Sequence, residues 1–94
     1  MRNKLYTFDQ DLKQRLKNPK FKKAWEQTEV EYTLARQLIE KRLAKNLSQR
    51  SLASKLHTTQ AVISRIETMT ANPSLALLKR IARVLDTKLQ VCFR

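Results

Sequence analysis

Residues 48–67, SQRSLASKLHTTQAVISRIE, constrain this chain more than any other stretch. Two short helical patterns flank a tight break at Leu56-His57-Thr58, and each opens with a hydroxyl residue followed by glutamine: Ser48-Gln49, then Thr59-Gln60. A serine or threonine at that place caps a helix by accepting a backbone N–H from the first turn. In the second pattern Val62, Ile63 and Ile66 share one face at helical spacing, while Gln60, Ala61, Ser64 and Arg65 share the other. The apolar face has to pack, and the polar face stays free. In the first pattern Leu52, Ala53 and Leu56 bury, with Ala53 small where two helices cross closely.

This is the layout of a helix-turn-helix, whose second helix lies in the DNA major groove. On that reading Gln60 pairs with adenine, Arg65 with guanine, and Ala61 meets a thymine methyl, with Ser64 on the same face. Thr59 caps the helix and touches a phosphate. Gln49, with Arg50 beside it, heads the preceding helix, whose backbone N–H groups suit a phosphate. The alternative is an ordinary helical hairpin with solvated glutamines. The two caps, the glutamines eleven residues apart and the buried set together favour DNA reading.

Charge agrees with this. The formal net charge is +12; residues 1–33 hold eight Lys/Arg against five Asp/Glu, and residues 34–94 hold twelve against three. The basic excess thus lies mostly in the segment that carries the motif, where it favours a polyanion. Other classes find little support. The single cysteine, Cys92, excludes an internal disulfide and fits a reducing cytoplasm. The first residues contain no long apolar run, so neither a signal peptide nor a membrane span is expected. A chain without glycine has no glycine-rich phosphate loop, and one histidine far from one cysteine makes no standard zinc site. No Ser/His/Asp set is suggested either. Neither an enzyme, a cofactor nor a metal is expected.

Around the motif the chain reads as all-α with a short C-terminal β-strand. Thr7-Phe8-Asp9-Gln10 forms a capping box for a helix over 8–17. Asn18-Pro19 ends it and starts a short helix bearing Phe21, Trp25 and Thr28. A second capping box, Thr28-Glu29-Val30-Glu31, then opens a longer helix to about Lys45. Asn72-Pro73-Ser74 begins a helix with Leu78, Ile81, Ala82 and Leu85 inward. Lys88–Phe93 alternates polar and apolar as a half-buried strand does, and its partner is Leu5–Phe8, a symmetry mate or another protein's sheet. The boundaries are an N-terminal helical extension over 1–33 and a DNA-binding domain over 34–94.

Residues 34–86, with their SQ…LA…TTQ…IS.IE string, resemble the XRE-type helix-turn-helix of the lambdoid phage repressors and Cro. The resemblance implies a lambda-repressor-like bundle that binds palindromic operators as a dimer. It implies base or phosphate roles at Gln49, Gln60, Ala61, Ser64 and Arg65. It also implies an ion pair between Arg42 and Glu67, two charges that fall on apolar faces and otherwise have to snorkel to solvent. The chain departs from the pattern where such domains usually carry glycine: Asn46, His57, Met69 and Asp86 stand there. Asn, His and Asp tolerate the left-handed conformation, so His57 reads as a turn residue. Met69 does not belong to that group, and the loop 68–72 is expected to take another conformation.

Five of the six aromatics lie in residues 1–32, outside any core the motif needs, which suggests either a second small core or a partner surface. The stretch NPKFKKAWEQTEVEYTLARQLIEKRLAKNLSQ, residues 18–49, fused to this domain, resembles HigA-type antitoxins, and the similarity runs from about Phe8 to Phe93. That resemblance implies a toxin partner of the RelE/HigB type, an mRNA endonuclease, contacted by Phe8, Leu12, Leu16, Phe21 and Trp25, and repression of the protein's own operon. The basic balance of residues 1–33 argues against a charge-driven grip on a basic toxin. A stand-alone repressor and a pure protein-interaction module are the other readings.

Overall fold

The computed structural model describes the backbone of residues 4–93 and the side chains of residues 10–93. Five helices follow one another: α1 (Lys4–Arg15), α2 (Pro19–Ala44), α3 (Gln49–Lys55), α4 (Gln60–Glu67) and α5 (Leu75–Val84). The core is Leu38 of α2, Leu52, Ala53 and Leu56 at α3, Ile63 and Ile66 of α4, and Ile81 and Leu85 at α5. Leu52, Leu56 and Ile63 are fully buried, each contributing about 1.5–3 kcal/mol by leaving water.

Capping residues define where the helices start. Asn18 accepts from the backbone N–H of Lys20 at 2.9 Å and of Phe21 at 3.4 Å, with Pro19 fixing the first turn of α2. Ser48, Thr59 and Ser74 do the same for α3, α4 and α5 through the N–H groups of Ser51, Val62 and Leu77.

The helix ends obey one rule four times. Asn46, His57, Met69 and Asp86 all have positive φ, at 56°, 56°, 65° and 52°. Each N–H reaches back three residues, and the next residue's reaches back five, as in Leu47→Arg42, Thr58→Ala53, Thr70→Arg65 and Thr87→Ala82 at 2.9–3.1 Å. That is the left-handed Schellman closure, which satisfies the last carbonyls of each helix. Met69 therefore closes α4 in the glycine-like conformation, contrary to the expectation of a different loop. Its half-buried side chain lines a 320 Å³ pocket with Leu12, Phe21, Ala24, Trp25, Thr28 and Tyr32. Apolar burial there offsets the cost of left-handed geometry, about 1–2 kcal/mol.

Three other expectations change. The capping box at Thr28 does not start a helix, because α2 runs unbroken through it. The Thr28 hydroxyl instead donates back to the carbonyls of Ala24 at 3.2 Å and Trp25 at 3.5 Å, a bond a mid-helix threonine makes readily. The backbone of α1 already starts at Lys4, so the Thr7 box lies inside it. The C-terminal strand is absent: among the described residues there is no β-strand, and residues 85–93 follow α5 as turn and irregular backbone. Leu5–Phe8, one of its candidate partners, is helical. A strand exists only through ladder bonds to a neighbour, and the described chain supplies none.

Candidate nucleic-acid interface

Crossing of α3 and α4 places the two glutamine-headed turns side by side. Ala53 and Ile63, both buried, lie among the core residues that hold these helices together. From this base Gln60, Ala61 and Arg65 stand exposed on α4, Ser64 is half-buried beside them, and Thr59 is exposed at the cap. Arg50 is exposed and Gln49 half-buried at the head of α3. Of the seven expected DNA-facing residues, hydrogen bonds bring Gln49, Arg50 and Gln60 together across the two helices.

Below that surface lies a continuous polar chain. Arg42 Nε donates to Glu67 Oε2 at 2.7 Å and Arg42 Nη2 to Glu67 Oε1 at 3.0 Å. The third guanidinium nitrogen, Nη1, donates to the carbonyl of Leu47 at 2.8 Å. Two-point guanidinium–carboxylate pairing of this kind has strong directional preference. It explains how two charges sit on apolar faces with side chains only 12% and 5% exposed. Gln49 Nε2 also donates to Glu67 Oε1 at 3.0 Å, Gln60 Nε2 donates to Gln49 Oε1 at 3.3 Å, and Arg50 Nε donates to Gln60 Oε1 at 3.2 Å. The spacing of the glutamines was visible in the sequence; the links to Glu67 and Arg50 were not.

The turn after α4 offers no cation. Thr68 and Thr70 instead direct their hydroxyls onto the carbonyl of Arg65, both at 3.3 Å, and Thr68 also onto that of Ser64 at 2.9 Å. On α5, Arg80 donates to the carbonyl of Leu56, tying that helix to the end of α3.

Of the five expected partner-contacting residues, Phe8 lies outside the residues whose side chains are described. Leu12, Leu16, Phe21 and Trp25 are half-buried. Trp25 stacks edge-on against Tyr32 with ring centroids 4.6 Å apart, and the Arg15 guanidinium lies 5.9 Å from the Phe21 ring centre. Among the described residues no cluster of His, Cys, Asp and Glu is arranged to hold a metal, and no helix is long and apolar enough to cross a membrane.

Five helices, with α3 and α4 presenting a polar row above a packed base, define a helix-turn-helix protein. The HTH_3 helix-turn-helix family model matches residues 38–91, more than half of the chain, and the chain belongs to this XRE-type family. It is accordingly a DNA-binding transcriptional regulator. Comparison with curated proteins and with solved structures found no match.

Proposed function

We propose that this regulator reads a palindromic operator as a dimer, is the antitoxin partner of a RelE/HigB-type mRNA endonuclease, and represses its own operon. Gln60, Ala61, Ser64 and Arg65 face the base edges, and Gln49, Arg50 and Thr59 face the phosphates. The observation that carries the DNA part is the exposed row on α4, anchored through Gln49 to the Arg42–Glu67 pair. A side chain already held in place loses little entropy when it meets a base.

The antitoxin part rests on the half-buried aromatic patch of α1 and α2 and on the likeness of the chain, from about Phe8 to Phe93, to HigA-type antitoxins. The open pocket among Leu12, Phe21, Trp25 and Tyr32 leaves apolar surface for a partner's side chain. A second reading, a stand-alone repressor whose extension only completes the fold, is favoured by one observation. Trp25 and Tyr32 pack on each other, and Met69 from the turn after α4 shares their pocket.

Co-expression with a small basic protein encoded beside this gene, followed by sizing of the product, tests the proposal. The antitoxin reading predicts a stable complex that dissolves when Trp25 becomes Ala. Absence of any complex leaves the stand-alone repressor.

A further inference from the structure

We propose that the Arg42–Glu67 ion pair is a positioning element for base reading, because it fixes which way the Gln60 amide faces. The inference rests on the base-reading role given to Gln60 above. A glutamine amide has an oxygen end that accepts and a nitrogen end that donates, and the two differ little in shape. An amide free to turn over presents either pattern to DNA and discriminates poorly.

In this protein the direction is settled from both ends. The Glu67 carboxylate, ionised against Arg42, only accepts. Gln49 must therefore present its NH2 group to it, as it does at 3.0 Å. That turns Gln49 Oε1 toward Gln60, which must answer with its own NH2 group, at 3.3 Å. The Gln60 oxygen is then left facing Arg50, whose guanidinium only donates, at 3.2 Å. An obligate acceptor beneath the surface and an obligate donor upon it impose the same direction on both amides.

One N–H and one oxygen lone pair of Gln60 remain unused, in a fixed order. That pair matches the N7 acceptor and N6 donor of adenine. Arg42 and Glu67 touch no DNA in this account; they act through Gln49.

The test uses the full-length chain and the duplex that it selects from a randomised pool. At the position read by Gln60, the affinity ratio between the selected base and each replacement is measured for several variants. Arg42→Met/Glu67→Leu replaces the pair with apolar side chains and is predicted to lower that ratio about tenfold, with the melting transition reported alongside. Arg50→Met lies on the surface and lowers the ratio even where the double variant is unstable. Its lost charge weakens binding to all sequences alike and cancels in the ratio. Arg50→Lys, which restores a donor, returns the ratio toward the starting value.

An unchanged ratio in Arg50→Met, or in the folded double variant, overturns the proposal. Gln60→Ala separates the two levels. If it leaves the ratio intact, base reading by Gln60 itself is wrong and the relay falls with it. If it abolishes the ratio while the relay variants keep theirs, only the relay is wrong.

Discussion

Arg42 and Glu67, on α2 and α4, meet through two parallel hydrogen bonds at 2.7 and 3.0 Å. Their side chains are almost wholly withdrawn from water. Removing one partner strands the other's charge in the interior, which typically costs about 3–5 kcal/mol, whereas replacing both with apolar groups of similar volume is often close to neutral. Glu67→Gln should therefore lower unfolding free energy by about 3–5 kcal/mol in denaturant melts. Arg42→Met/Glu67→Leu should recover most of that loss. A Glu67→Gln variant as stable as the parent would show that the pair contributes nothing.

The four left-handed helix ends allow a graded experiment. His57 is exposed at φ 56°, and its side chain serves no evident packing role. His57→Gly should raise stability by about 0.5 kcal/mol, the relief of left-handed strain less the entropy glycine adds to the unfolded chain. Met69→Gly removes the same kind of strain but also empties part of the Trp25–Tyr32 pocket, so it should destabilise. Trp25 is the single tryptophan, and its fluorescence should shift in Met69→Gly and stay unchanged in His57→Gly. Equal effects of the two substitutions on stability would deny Met69 its packing role.

At Asp86 the hydrogen bond from Lys45, and then the attraction of its charge, hold the carboxyl below its ordinary pKa of 3.8. The folded state thus takes up this proton less readily than the unfolded one. The contribution is present above pH 3.8 and is lost as pH falls through the lower folded value. The pair is exposed, so the effect is small. Asp86→Asn, which still tolerates φ 52°, should leave melting at neutral pH nearly unchanged and flatten its decline in acid. An unchanged acid limb would remove Lys45 from the account.

Salt tests the electrostatic part of recognition. Twelve Lys/Arg against three Asp/Glu in residues 34–94 provide the positive field. Several phosphate contacts in the proposed dimer imply a loss of about 10³–10⁵ in affinity between 50 and 200 mM salt. A flat response would mean that phosphates are not engaged.

Legibility of the sequence followed the range of the interactions involved. The helix pair α3–α4 was readable because Ser48 and Thr59 cap their own helices and the apolar spacing is local. So was the pairing of Arg42 with Glu67, once a resemblance named it. The unbroken α2 was not readable at Thr28, where the same hydroxyl serves equally as a cap or as a donor to Ala24 and Trp25. Alternation in Lys88–Phe93 describes a face and carries no information about a strand partner. Met69 adopts a conformation whose compensation lies in α1 and α2, far back in the chain at Leu12, Phe21, Trp25 and Tyr32. The amide directions in the Glu67–Gln49–Gln60–Arg50 chain depend on contacts that only the folded arrangement creates.

The central claim is that the exposed face of α4 reads base sequence through Gln60. It is tested most directly by titrating the full-length protein and Gln60→Ala against the selected duplex and against every single-base replacement of it. The account predicts a loss of about 1–3 kcal/mol on the selected duplex, with preference relaxed at one base per half-site and kept elsewhere. An equal loss on every duplex, with all preferences intact, would contradict it.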